Sequence, residues 1–211
     1  MQRVIIFGAS GKTGQLLAEQ ALEASHHVTA FVRRANAFPI SHARLRVVIG
    51  DVRNDEAVSA AIAGQDVVLS ALGPTQKNDP LCEDATRCIL AGMQAHGVQR
   101  LISLSAYGAS ESRTHDLYSK MVWMAVGSKM RDKERMETLI RSSPVDWTLV
   151  RPPGLTDGPR TGVYRTGSDV PVGVLARLSR ADVAEFMLRE AVEKKYVREA
   201  PTINAGRGAA R

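Results

Sequence analysis

Short apolar runs rich in Val, Ile and Leu, at 3–7, 27–32, 45–49, 66–71, 99–105 and 146–151, read as strands. Between them, at 12–24, 54–63, 80–97 and 129–142, apolar residues recur with the helical period of three to four positions. Strands apolar along their whole length, alternating with helices, imply a parallel sheet covered on both faces, a doubly wound α/β architecture. Punctuation supports the boundaries. Asp79-Pro80 supplies an N-cap and a first-turn proline, Gly97 closes the same helix and Gly64 the one before it. Leu81, Ala85, Cys88, Ile89 and Met93 form one buried stripe. Ser179-Arg180-Ala181-Asp182 reads as a capping box that opens a last helix, with Val183, Phe186, Met187 and Ala191 as its stripe. A final strand near 201–205 is expected to join the sheet edge, and 206–211 to fray. Two long segments, 106–128 and 152–178, lack periodicity. Both follow strands, and ligands bind outside the carboxyl ends of strands in such sheets, so these loops are expected to build a substrate pocket.

The first strand runs into Gly8-Ala9-Ser10-Gly11-Lys12-Thr13-Gly14 and then directly into a helix. Glycines in such a turn let the backbone approach a pyrophosphate closely, and the free N–H groups of the helix face the anion. The spacing G-x-x-G-x-x-G, in this strand-to-helix context, points to a dinucleotide and a Rossmann-like fold. At the end of the second strand an acidic residue would grip the ribose 2′-hydroxyl of NAD. Arg33 and Arg34 stand there instead, and an arginine fork matches a phosphate, so NADP(H) is preferred over NAD(H).

Composition narrows the picture. A chain of 211 residues with 44% hydrophobic content fits one domain, 1–211, with one substantial core. No run of 18 apolar residues occurs, and the chain opens on a strand without the features of a signal peptide, which gives a cytoplasmic protein without a membrane partner as the expectation. Cys82 and Cys88 fall on different helix faces, and His26, His27, His42, His96 and His115 lack ligand spacing, so no metal is expected. The formal charge of +6 comes from scattered lysines and arginines rather than one basic helix, which argues against nucleic acid as a partner.

Taken as an ordered set, Phe7 to Gly14, Val32-Arg33, Gly50-Asp51-Val52, Leu72-Gly73, Ser105-Ala106, Arg151-Pro152-Pro153 and the stretch 157–164 resemble the atypical short-chain dehydrogenase/reductases. Within these the chain is most similar to the NmrA-like NAD(P)H-binding family and its flavin reductase (biliverdin-IXβ reductase) type. The resemblance implies that Asp51 and Val52 hold the adenine, and that Ala71, Leu72 and Gly73 let the backbone pass close to the ribose. Ser105 then lies beneath the nicotinamide, its hydroxyl bonding either the carboxamide or the reacting acceptor, and Pro152 and Pro153 form a wall. Asp51 is equally a helix-initiating acid.

Two departures from the pattern bear on chemistry. Typical members pair a tyrosine with a lysine four residues on, and the lysine lowers the phenol's pKa. Here Lys133 has Lys129 four residues earlier, while Val122 follows Tyr118 and Glu111 follows Tyr107 at that distance. Lys133 shares a face with Met136 and Ile140 and either points inward to the nicotinamide ribose or pairs with Glu137 at the surface. Gly154 stands where the flavin reductase type carries a histidine. Without a phenolic acid the expected reaction is hydride transfer from NADPH to a flavin, quinone or similar planar acceptor, with Ser105 and Lys133 as candidate catalytic residues. Tyr107, Tyr118, Met121, Trp123 and Met124 suit such an acceptor, or else form a short amphipathic helix. The alternative is an NmrA-like redox sensor without catalysis; a nucleotide-sugar epimerase fits the fold but lacks its tyrosine. A monomer or small homo-oligomer is expected.

Overall fold

Six parallel strands form the central sheet in the computed structural model, which describes residues 1–74, 76–113 and 117–206. His115 and 207–211 lie outside these residues, as does the side chain of Tyr118. In chain order the elements are β1 (Arg3–Phe7), α1 (Lys12–Glu23), β2 (His27–Val32), β3 (Leu45–Ile49), α2 (Asp55–Ile62) and β4 (Val67–Ser70). Then come α3 (Leu81–His96), β5 (Arg100–Leu104), α4 (Leu117–Ser142) and β6 (Asp146–Val150). The strand order β3-β2-β1-β4-β5-β6 reverses between β1 and β4, and the carboxyl ends of these two strands flank the crevice where such sheets take ligands.

Strand alternation divides the core. Val4, Ile6, Val28, Ala30, Leu69 and Ile102 point to one face, where α1 packs with a last helix, α5 (Arg180–Glu193). Ile5, Phe7, Phe31, Val68 and Leu101 point to the other and meet α2, α3 and α4. Phe7 and Phe31 pack with ring centroids 5.1 Å apart, and burying each such side chain contributes roughly 1.5–3 kcal/mol. The stripes expected on α3 and α5 are buried throughout.

Several boundaries differ from the sequence reading, each for a local reason. Pro80, not Asp79, occupies the N-cap of α3. The open N–H groups of Cys82 and Glu83 are taken by the carboxylate of Asp132 from α4, at 2.9 and 3.0 Å, while Asp79 receives Arg53. Ser179 does cap α5, accepting from the Asp182 N–H at 3.0 Å, but the Asp182 carboxylate accepts from Thr161 and Gly162 instead of closing a capping box. The fourth helix begins at 117 rather than 129, with non-helical backbone at Val126. Its first half agrees with the alternative of a short helix over Met121, Trp123 and Met124, but the regular buried face starts only at Met130 and both methionines are exposed.

The segment 152–178 also carries short strands: β7 (Gly154–Thr156), β8 (Tyr164–Gly167) and β9 (Arg177–Ser179), the last ending just past the segment. β7 pairs with β9 in parallel. The final strand, β10 (Thr202–Ala205), pairs antiparallel with β8 in a small second sheet rather than extending the main one. It still runs along the outer edge of β6, as expected: Leu149 N–H donates to Glu199 O and Arg151 N–H to Pro201 O, both 3.0 Å, and Ile203 N–H, within β10, donates to Arg151 O at 3.1 Å. Strands of three or four residues are too short to show alternation.

Buried ion pairs brace both ends of the sheet. At the amino end Arg100 donates to Glu190 and to Thr148, each at 2.8 Å. At the carboxyl end Arg151 donates to Glu137 through Nε at 2.9 Å and through Nη2, and reaches Glu111 at 2.9 Å. Glu111 lies in the segment after β5, so this contact ties that segment to β6. Partial burial alone would raise the Glu111 carboxyl, but the hydrogen bonds and charge of Arg151, with Arg141 alongside, hold it at about 2.

Two outcomes follow for stability. A Cβ at Gly14 would sit 2.1 Å from the Gly8 carbonyl oxygen, whereas one at Gly73 meets nothing within 4 Å. Gly14→Ala is expected to cost about 1–3 kcal/mol and lower the melting temperature accordingly, with Gly73→Ala near wild type in the same scan. The Glu111 carboxyl is lower in the folded state than in the unfolded chain, so its stabilisation is complete above about pH 4.5 and is lost as pH falls through about 2. Urea unfolding at pH 6 and pH 3 is expected to show a smaller loss in Glu111→Gln than in wild type.

Candidate functional site

The turn after β1 owes its shape to two glycines. Gly8 has φ +77° and lies so close to β4 that a Cβ would stand 2.9 Å from the carbonyl carbon of Ala71. Gly14, in the first turn of α1, packs directly on the Gly8 carbonyl. Gly11 closes the turn by donating to Gly8 O at 3.0 Å, and as the N-cap of α1 it offers no side-chain acceptor. No acidic residue stands in that first turn. The helix therefore presents N–H groups and the positive end of its dipole to the crevice without an internal anion to satisfy them.

Gly8, Ser10, Gly11, Arg33, Val52, Ala71, Leu72 and Gly73 line one groove of about 130 Å³ over the β1–β4 switch point. These residues come from four separate stretches of sequence. Phe31, Val32 and Leu81 complete the lining; of these the resemblance marks only Val32, since apolar residues at a strand end or helix start read as core. Ala9, Thr13 and Gly14 sit beneath the turn and are buried. Arg33 and Arg34 are exposed at the end of β2 and have no ion pair among the described residues. Arg34 does not line the groove. Neither does Asp51, which is exposed and accepts from the Arg53 N–H at 2.9 Å, an Asx turn that leads into α2.

Lys12 points away from the groove lining. Its ammonium meets Asp157, beyond β7, at 2.6 Å, and Arg180 binds the same carboxylate. Lys12 first, then the charge of Arg180, keeps the Asp157 carboxyl below the usual carboxylate range.

The second half of the site lies at the ends of β4, β5 and β6. Lys133 is buried, not at the surface, and does not pair with Glu137. Its ammonium donates to the carbonyls of Leu72 at 2.7 Å and Leu104 at 2.5 Å, which binds the ends of β4 and β5 together. Ser105 follows directly and is 4% exposed, its hydroxyl donating to Glu137 at 2.5 Å. Pro152 and Pro153 are buried beyond β6, and the Pro152 carbonyl accepts from the Tyr107 N–H at 2.8 Å, so the segments after β5 and β6 run side by side. Trp123 donates to Gly108 O at 2.9 Å with Arg113 stacked 3.7 Å above its ring, which fastens the first half of α4 to the same segment. Met121 and Met124 face away into solvent.

Both thiols and the Tyr164 phenol are withdrawn from acid or nucleophile chemistry. Burial pushes the Cys82 thiol up to about 11 and the Cys88 thiol to about 12. Burial and the hydrogen bond to Glu185 raise the Tyr164 phenol well above its ordinary range. At Gly154, Arg177 fills the adjacent space, its Cδ and Nη1 each 3.0 Å from where a Cβ would stand. Among the described residues no helix is long and apolar enough to cross a membrane.

Comparison with known proteins agrees with this geometry. A model of the NAD(P)H-binding family matches residues 8–194. The uncharacterized protein YwnB of Bacillus subtilis is 26% identical over 95% of this chain and 97% of its own. ChuY, an anaerobilin reductase of Escherichia coli O157:H7, superposes with a TM-score of 0.82 at 25% identity, covering 95% of this chain and 96% of that one. A short-chain dehydrogenase/reductase of Veillonella parvula solved with NADP shares the fold at 21% identity, with a TM-score of 0.81 over 96% of this chain and 94% of its own. With a family match over most of its length and a glycine turn, switch-point groove and parallel sheet of the required form, the chain belongs to the NAD(P)H-binding Rossmann family and carries an NAD(P)H-binding oxidoreductase fold.

Proposed function

We propose that this protein is an NADPH-dependent reductase that passes hydride to a flavin, quinone or similar planar small molecule. The observation that carries the reading is the convergence, on one groove, of an uncapped helix start, a pair of close-packed glycines and an arginine without an ion-pair partner among the described residues. The first-turn N–H groups of α1 hold the pyrophosphate, Arg33 meets the 2′-phosphate, and Val52 with Leu72 and Gly73 encloses the adenosine. When bound, the reduced nicotinamide supplies the hydride.

The absence of a tyrosine four residues before Lys133 supports an acceptor whose reduced form needs no enzymic acid. Lys133 contributes by fixing the β4 and β5 ends, two of its N–H groups being spent on carbonyls. The segments 106–128 and 152–178 form the acceptor side, with Tyr107, Pro152 and Pro153 at the strand ends. That ChuY is an anaerobilin reductase is consistent with reduction of a conjugated planar substrate here.

Calorimetric titration with NADPH and NADH is expected to favour NADPH. Arg33→Ser is expected to weaken NADPH by about 10-fold or more, the scale of a lost charge-assisted hydrogen bond, while leaving NADH unchanged. Gly73→Ala, stable by the packing argument, is expected to lose affinity for both dinucleotides. Loss of nicotinamide absorbance on addition of FMN or a quinone checks the reaction. Tight NADPH binding with no turnover of any flavin, quinone or carbonyl acceptor points instead to an NmrA-like sensor.

A further inference from the structure

The hydrogen bonds around Glu137 have a direction that the chemistry of the groups dictates. Glu137 is 0% exposed and its two oxygens accept from four donors: Ser105 Oγ at 2.5 Å and Arg151 Nε at 2.9 Å on Oε1, and Ser110 Oγ at 2.6 Å with Arg151 Nη2 on Oε2. A carboxylate held in the fork of an arginine only accepts, and four donors fill its lone-pair directions. Ser105 is therefore the donor, and its single hydroxyl hydrogen is spent on a buried partner. Its remaining capacity is acceptance alone.

The position of that acceptor is set by Lys133. One ammonium bonds both Leu72 O and Leu104 O, so Ser105 lies one residue from a carbonyl that shares its partner with the wall of the groove. Along the carboxyl edge the order is Arg33 after β2, then β1, β4, and Ser105 after β5. Strands about 4.8 Å apart place Ser105 roughly three spacings, about 14 Å, from the arginine end, where the second base of an extended dinucleotide falls.

We infer that Glu137 is a positioning residue that fixes the polarity of Ser105, so that Ser105 accepts a hydrogen bond from the carboxamide N–H of the nicotinamide and gives no proton to the reacting acceptor. This rests on the reading that a nicotinamide dinucleotide occupies the groove. Glu137 has no hydrogen with which to resupply Ser105, and Arg151 beyond it stays protonated, so the pair passes no proton inward. The proton that accompanies hydride then comes from solvent.

The test compares NADP⁺ with its 3-acetylpyridine analogue, which keeps the carbonyl and replaces the NH₂ by a methyl group. Dissociation constants are measured by calorimetry on the full chain for wild type, Ser105→Ala, Ser105→Cys and Glu137→Gln, with 2′,5′-ADP as a probe of the arginine half of the groove. Wild type is expected to prefer NADP⁺ roughly three- to ten-fold, the range of one neutral hydrogen bond. In Ser105→Ala and Ser105→Cys the ratio is expected to fall to near one with 2′,5′-ADP affinity unchanged. Glu137→Gln is expected to do the same, because its amide can donate to Ser105 and occupy the lone pair. Equal binding of both dinucleotides by wild type, or a preference retained in Ser105→Ala, overturns the inference and leaves the cofactor reading standing. Binding of neither dinucleotide overturns both.

Discussion

The start of α1 rests on the carbonyl of Gly8 with no room for a side-chain atom between them, and Gly8 in turn rests on the end of β4. This double contact sets the rest of the arrangement. It brings the first helix down onto the sheet at the one place where the strand order reverses, and it leaves the first-turn amides pointing into the crevice. A methyl group at either position would lift the helix and tilt its amides away from the groove. The requirement is for absence of volume, so it is met by residue type rather than by any bond.

Much of this was legible from sequence because the signals are local. A strand, three glycines at fixed spacing and a helix lie within the first 24 residues, and the stripes of α3 and α5 repeat with one period over several turns. The groove lining was legible through resemblance at Val52 and Ala71 to Gly73, where local periodicity says nothing of ligands. What sequence did not give was set by contacts distant along the chain. The cap of α3 comes from Asp132, some fifty positions away, while the adjacent Asp79 is drawn off by Arg53. Lys133 and Glu137, four apart on one helix, leave an inward lysine and a surface pair equally open from sequence, and it is their partners across the interior that bury both. The small β8–β10 sheet joins segments whose pairing no alternation announced.

Charge is buried at the two ends of the sheet for different ends. Arg100 and Glu190 lie at the amino edge, far from the crevice, and tie α5 to β5 and β6. Such a pair gains little over an apolar substitute, but loss of one partner strands the other, so it enforces a single register. Arg151 and Glu137 at the carboxyl edge do the same for α4 and β6, and also order the segment after β5 through Ser105, Ser110 and Glu111. The floor on which an acceptor would rest is thus braced from below before any ligand arrives, which lowers the ordering cost of binding.

The clasp of Lys12 and Arg180 on Asp157 is of another kind, since it lies in water and joins the glycine turn to the strand-poor stretch past β7. Exposed pairs of this sort are screened over a Debye length of about 8 Å at physiological ionic strength, whereas the interior pairs are shielded from salt. Ionic strength therefore acts on this molecule selectively: it slackens the link between the glycine turn and the stretch past β7, and leaves the pairs beneath the sheet as they were.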